Sequence, residues 1–238
     1  MAPSPGGSGG GGVRERVAIL AGAGGELGRA TAQRLAAAGF TVVGLDRNED
    51  RLKELPDGIP YEVGDPSDPA VARSLVQRIA VQVGPPEVLV NTIGTYHLGE
   101  ALTATPQDLR VMMDVNAGTA LWLTQAVAPY MQERGGGAIV HVAARPGLEP
   151  TAGMATYSLS KAALVHLTRL LDLELRPLGI RVNAVAPQII DTPKTRPYLP
   201  PDLLAHAVSP EAIADIIVYL VSDAATPISG AVLPAYGP

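Results

Sequence analysis

Cysteine is missing from all 238 residues, which removes disulfides, thiolate catalysis and thiolate-bound metal from consideration. Histidine is scarce: His97, His141, His166 and His206 are scattered without ligand spacing, so a zinc site is not expected. Charge is sparse too. Charged residues make up 17% of the chain and the net charge is -5, which offers no electrostatic footprint for nucleic acid. No apolar run reaches the roughly 18–20 residues that a bilayer span needs. The N-terminus lacks the basic and apolar blocks of a signal peptide, which points to the cytoplasm. Apolar residues, by contrast, make up 47%, enough for one domain with a sizeable core.

Residues 1–12, MAPSPGGSGGGG, hold almost no side chain to bury and read as a flexible Gly/Pro/Ser tail. From Val13 to the end, residues 13–238, strand and helix patterns alternate without a linker. Strands are predicted at 16–20, 41–45, 61–63, 86–91, 138–143 and 181–185. An alanine-rich helix runs from Glu26 to Ala38 and stops at Gly39. Asp68-Pro69, Thr105-Pro106 and Ser209-Pro210 each set a capping side chain before a proline at the first helical position. Thr105 and Asp108 have the spacing of a capping box. Strands separated by helices of this length predict an α/β fold: a single-domain, Rossmann-type, doubly wound parallel sheet with helices on both faces.

The first strand and helix are joined by LAGAGGELGRA. Gly22, Gly24 and Gly25 permit backbone conformations that a side chain would obstruct, and Gly28, after Leu27, permits close helix–strand packing. Free N–H groups at the helix start could then meet a pyrophosphate. A glycine cluster alone could equally be a plain tight turn. Asp46 ends the second strand about 20 residues on, where a carboxylate would accept hydrogen bonds from an adenosine ribose. That carboxylate would repel a 2′-phosphate and so favours NAD(H) over NADP(H), although the adjacent Arg47 could partly undo the preference.

Tyr157 and Lys161 stand four residues apart on one face of a long amphipathic helix predicted over 156–175. A phenol has a reference pKa of about 10 and shuttles protons poorly at neutrality. A neighbouring ammonium would lower that value and make Tyr157 usable as an acid or base. Taken alone, the same spacing suits a surface tyrosine and lysine.

The order of glycine turn, Asp46, VLVNTIG (88–94), Asn116, AIVHVAA (138–144), YSLSK (157–161) and VAPQIIDT (185–192) resembles the short-chain dehydrogenase/reductase family. The similarity runs from about Val13 to Gly230. The resemblance implies a nicotinamide cofactor, with Tyr157 as proton donor and Lys161 binding the nicotinamide ribose and tuning the tyrosine. It implies that Asn116 holds a water in a proton relay and that Asn91 and Gly94 form a structural segment. It places Asp65 at the adenine, and Pro187, Ile190 and Thr192 at the nicotinamide carboxamide.

Several positions depart from the family pattern. The usual serine, thirteen residues before the tyrosine, is Ala144, preceded by Ala143. Losing such a hydrogen-bond donor typically costs about 2.7–4 kcal/mol of transition-state stabilisation. Glu26 replaces a turn glycine, Thr92 and Ile93 fill the segment between Asn91 and Gly94, and Pro66 has no N–H to offer adenine. Dihydropteridine reductases resemble the chain in pairing a small residue at the serine position with an intact YxxxK. The segments 150–161 and 191–202 are similar to that branch. Tyr96, just after Gly94, could stack on a flat substrate ring or simply pack on the scaffold, and His97 could face substrate or solvent.

Three functions follow. The first is NAD(P)(H)-dependent hydride transfer to an activated small molecule such as a quinonoid dihydropterin. The second is a general ketone/alcohol dehydrogenase lacking the serine. The third is a non-catalytic nucleotide-binding protein on the same fold. The family resemblance also implies a homodimer or homotetramer, pairing apolar faces of 118–132 and 156–175.

Overall fold

In the computed structural model, residues 16–237 are described, so the tail expected at 1–12 lies outside the described residues. The chain forms β1 (Val17–Ala21), α1 (Glu26–Ala37), β2 (Thr41–Asp46), α2 (Glu49–Leu52), β3 (Tyr61–Val63), α3 (Pro69–Gln82), β4 (Pro86–Asn91), α4 (Pro106–Met113) and α5 (Thr119–Glu133). It continues through β5 (Gly137–Val142), α6 (Ala155–Leu175), β6 (Ile180–Pro187), α7 (Pro201–Leu204), α8 (Pro210–Val221) and β7 (Val232–Ala235). The seven strands form one parallel sheet in the order β3-β2-β1-β4-β5-β6-β7.

The inner strands β1, β2, β4, β5 and β6 are buried on both faces, as expected for a sheet sandwiched by helices, while the edge strands β3 and β7 are largely not. Along β1 the side chains alternate between two cores. Ala18 and Leu20 join Leu27 and Leu35 of α1 with Ile213, Ile217 and Leu220 of α8. Val17, Ile19 and Ala21 join Leu75 and Ile79 of α3 with Leu123, Val127 and Met131 of α5. Each fully buried side chain of this size contributes about 1.5–3 kcal/mol relative to exposure.

The predicted helix starts are realised. Asp68 accepts from Ala70 N at 2.7 Å, and Ser209 accepts from Ala212 N at 3.2 Å. Thr105 and Asp108 form a reciprocal capping box, with Asp108 N donating to Thr105 Oγ1 at 3.2 Å and Thr105 N to Asp108 Oδ2 at 3.0 Å. Two features differ from the sequence expectation. Strand β7 adds a seventh member; it has four residues and a proline, Pro234, tolerated because the strand forms the sheet edge. Residues Asp114–Gly118 form a π-helical turn ahead of α5. Such turns displace the side chains around them, and this one carries Asn116.

Strand order reverses between β1 and β4, which puts a crevice beyond their C-terminal ends. Open α/β sheets bind ligands at such a switch point.

Candidate active site

The glycine turn is built at the crevice. Gly22 has φ +82° and donates to Leu45 O at 2.7 Å, which ties the turn to β2. A Cβ on Gly28 would lie 2.2 Å from Gly22 O, so helix and turn meet too closely for any side chain. A Cβ on Gly24 would lie 2.6 Å from Arg51 Cβ and 3.1 Å from Asp46 Oδ2. Gly25, the N-cap residue of α1, differs: its Cβ would meet only Gly22 O, at 3.4 Å. Open space in front of the helix start is what an approaching phosphate needs. Leu27 is buried in the core behind the turn.

Glu26 does not spoil this cradle. Arg29, one turn on, pairs with Glu26 at 2.9 Å while also donating to Gly24 O at 3.0 Å and pairing with Glu54 at 2.8 Å. The carboxylate is therefore neutralised along the flank of α1.

Asp46 Oδ2 accepts from Gly24 N at 3.2 Å and Oδ1 from Asn48 N at 3.0 Å. A carboxylate has about four lone-pair sites, so each oxygen keeps capacity for a ribose hydroxyl. Arg47, largely exposed, reaches Asp65 at 3.4 Å. Burial raises the Asp65 pKa, but hydrogen bonds from Ser67 and the nearby Arg47 outweigh it and hold the carboxyl below its ordinary value. Arg47 is thus placed beside both acidic residues expected at the adenosine end. Cofactor turn, Asp46 and Asp65 together fit a dinucleotide.

The second half of the site lies at the ends of β4 and β5. Asn91 is buried and accepts from Ile93 N at 3.1 Å, shaping the segment that leads to Gly94. A Cβ on Gly94 would sit 3.2 Å from both Asn116 Oδ1 and Lys161 Nζ, so glycine lets these two groups converge. Asn116 is fully buried. Its Oδ1 accepts from Thr95 N at 2.9 Å, and its Nδ2 donates to Thr95 O and to Ser160 Oγ, each at 2.9 Å. Ser160 Oγ in turn donates to Tyr157 O at 2.8 Å. Thr95 and Ser160, which sequence reasoning did not place in the site, therefore clasp the Asn116 amide; Ser160 could have been found from its three-residue offset from Tyr157.

Tyr157 and Lys161 share α6 as predicted, and burial shifts each of them. The Lys161 ammonium donates to Val142 O at 2.9 Å, and burial lowers its pKa to about 8. Burial pushes the Tyr157 phenol up to about 12, with no neighbouring charge offsetting it. The ammonium is engaged by the backbone of β5. A second unforeseen group lies on that strand. His141 is fully buried, neither ring nitrogen has a hydrogen-bond partner among the described residues, and burial followed by repulsion from Lys161 depresses its pKa to about 3.

Ala144 is buried and extended at the end of β5. Of the hydroxyls near it in sequence, Ser160 Oγ is engaged by Asn116, Thr151 is exposed, and Ser158 Oγ is buried without a partner among the described residues. The excursion 188–208 follows the C-terminal end of β6. Pro187 ends β6, Ile190 bridges to Val208, and Thr192 shares a hydrogen bond of 3.0 Å with Thr195 Oγ1. Tyr96 is exposed at 69%, and His97 lies 3.9 Å from Asp108. Among the described residues no His/Cys/Asp/Glu group could hold a metal, and no helix is long and apolar enough to cross a membrane.

A family profile described as short chain dehydrogenase matches residues 16–201. The chain is 30% identical over 246 residues to 4-formylbenzenesulfonate dehydrogenase of Comamonas testosteroni, covering 94% of this chain and 98% of that relative. It is 31% identical over 235 residues to the 3-oxoacyl-acyl-carrier-protein reductase of Thermotoga maritima, covering 92% and 95%. A Burkholderia xenovorans structure described as a short-chain dehydrogenase/reductase superimposes with a TM-score of 0.86 at 27% identity, over 93% of this chain and 95% of that one. With the cradle, the tyrosine–lysine helix and the sheet order all in place, the chain belongs to the short-chain dehydrogenase family and is an oxidoreductase that uses a nicotinamide cofactor.

Proposed function

We propose that the chain reduces an activated acceptor, one already electron-poor through conjugation, with Tyr157 delivering the proton. The single observation that carries this reading is Ala144. A plain ketone needs its carbonyl polarised by a donor at that position, and an alanine methyl supplies none. An electron-poor acceptor needs less polarisation. The phenol at about 12 stays protonated at neutral pH, which suits a donor in the reductive direction better than a base in the oxidative one.

On this reading the N–H groups at the start of α1 hold the pyrophosphate, Asp46 the adenosine ribose and Asp65 the adenine side. Lys161 holds the nicotinamide ribose, with Pro187, Ile190 and Thr192 at the carboxamide. When bound, the nicotinamide supplies the hydride. Gly94, Asn91 and Asn116 keep the floor of the site rigid. Asp46 supports NAD(H) over NADP(H), with Arg47 as the residue that moderates the preference.

A quinonoid dihydropterin is the acceptor suggested by the branch resemblance, with Tyr96 as a stacking surface; the two relatives above carry the names of other substrates. The reading further includes a homodimer or homotetramer. Leu159, Leu170 and Leu173 are exposed on the 156–175 face that such pairing would cover, whereas Leu121, Trp122 and Ala126 of the 118–132 face are partly buried against the core.

The test is a fluorescence titration with NADH and NADPH, followed by turnover of freshly generated quinonoid dihydropterin, an aromatic aldehyde and an unactivated ketone. Tighter NADH binding and turnover of activated acceptors over the ketone are expected. Binding of neither nucleotide, or equal turnover of the unactivated ketone, would sink the proposal.

A further inference from the structure

The residue after Ala144 is an arginine, and its setting is specific. The short turn Arg145–Gly147 is pinned by Gly147 N donating to Ala144 O at 2.9 Å and by Leu148 N and Glu149 N donating to Arg145 O at 2.8 and 2.9 Å. The turn is pressed onto α6: a Cβ on Gly147 would lie 2.6 Å from the backbone carbon of Lys161, one helical turn from Tyr157. The backbone of Arg145 is therefore fixed relative to the catalytic helix.

Its guanidinium is paired at the surface, the Arg145 and Glu149 side chains being 39% and 52% exposed. Nε and Nη2 both donate to Glu149 Oε2, at 2.9 and 2.8 Å, and the plane lies 5.0 Å from the centre of the Tyr236 ring. Tyr236 is anchored in turn. The preceding Ala235 accepts from Gln188 N at 3.2 Å, and a Cβ on Gly237 would lie 2.4 Å from His206 O. Three segments thus converge at the C-terminal edge of the sheet: the turn after β5, the excursion 188–208 and the end of the chain. Glu149 occupies one edge of the guanidinium and Tyr236 one face. Nη1 has no partner among the described residues, so the terminal edge stays available.

A guanidinium held in orientation along one edge and presenting its other edge is built for bidentate recognition of an oxyanion. Loss of side-chain entropy on binding is then small, because the carboxylate and the ring already order it. We propose that Arg145 is a specificity-determining residue that selects an acceptor bearing an anionic oxygen group, a carboxylate or a sulfonate, away from its reacting carbon. This rests on the activated-acceptor reading but not on a pterin. Glu149 sets the orientation and, as a like charge to the ligand, tempers the affinity.

The experiment compares three aldehydes of one shape: 4-carboxybenzaldehyde, neutral 4-methylbenzaldehyde and cationic 4-(trimethylammonio)benzaldehyde. Each is titrated calorimetrically, with and without NADH, into wild-type protein and into Arg145→Gln, Arg145→Lys and Glu149→Gln. In the wild type the carboxylate probe is expected to bind about tenfold tighter than the neutral one, the scale of one charged hydrogen bond. Arg145→Gln should reduce that preference to within about twofold, Arg145→Lys should retain part of it, and Glu149→Gln should increase it. Wild-type protein that favours the neutral or cationic probe, or an unchanged preference in both Arg145 variants, overturns the proposal. Because binding is read without NADH as well, failure of nucleotide binding would count against the oxidoreductase reading alone.

Discussion

Lys161 donates its ammonium to the carbonyl oxygen of Val142 at 2.9 Å from a position 4% exposed. A cation held there has lost nearly all its water and keeps one backbone acceptor in exchange. The folded-state pKa of about 8 against an ordinary 10.5 expresses that loss.

The consequence is a cost that alkali removes. Between about pH 8 and 10.5 the unfolded chain keeps the lysine proton and the folded chain does not, so stability rises with pH through that window. Lys161→Met should flatten this dependence, by up to about 3 kcal/mol across the window. Urea unfolding of both proteins at pH 7.5 and 10.5 measures it; equal pH dependence of the two would refute the burial assignment.

His141 predicts the opposite end of the scale. Its folded value of about 3 lies below the ordinary 6.5, so the unfolded chain takes up a proton first and stability falls as pH drops below 6.5. His141→Leu leaves two unsatisfied nitrogens out of the core and should be neutral or stabilising at pH 7. At pH 4.5 it should gain about 2–3 kcal/mol over the wild type. Denaturation midpoints at the two pH values decide between this and a hidden hydrogen-bond partner, which would make the variant less stable at both.

Ala144→Ser and Tyr157→Phe separate polarisation from protonation. The serine should raise turnover of an unactivated ketone about 100-fold or more while changing an activated acceptor little. Loss of the phenol should lower kcat for both by about 10²–10⁴. Steady-state kinetics on the two substrate types provides the comparison, and full activity in Tyr157→Phe would remove the proton-donor role.

Gly25 and Gly28 should respond differently to the same methyl group. At Gly28 it would collide with Gly22 O at 2.2 Å, so Gly28→Ala should lose stability and nucleotide binding together. At Gly25 it meets nothing closer than 3.4 Å and instead fills the space before α1. Gly25→Ala should keep its Tm within a few degrees and bind NADH about tenfold more weakly or worse. Paired thermal melts and NADH titrations test the contrast.

Much of the fold could be read from local signals. Apolar runs marked six of the seven parallel strands, and the Asp, Thr and Ser caps before Pro69, Pro106 and Pro210 marked helix starts that the structure reproduces. Strand β7 escaped because four residues with an internal proline carry too little pattern, and only pairing with β6 makes them a strand. The positions of the proposed site residues were likewise legible: Asp46 ends β2, and Tyr157 and Lys161 share α6.

Sequence by itself therefore determined the layered fold, the absence of thiol chemistry, the tyrosine–lysine helix and the alanine at the serine position, because these depend on residue type and short-range spacing. Tertiary structure decided the rest. It turned Glu26 onto Arg29, placed the Lys161 ammonium on Val142, buried His141 without partners among the described residues, and brought Arg145, Glu149 and Tyr236 together. The energies of ionisable groups follow from water lost and partners gained, and both are set by segments distant in the chain.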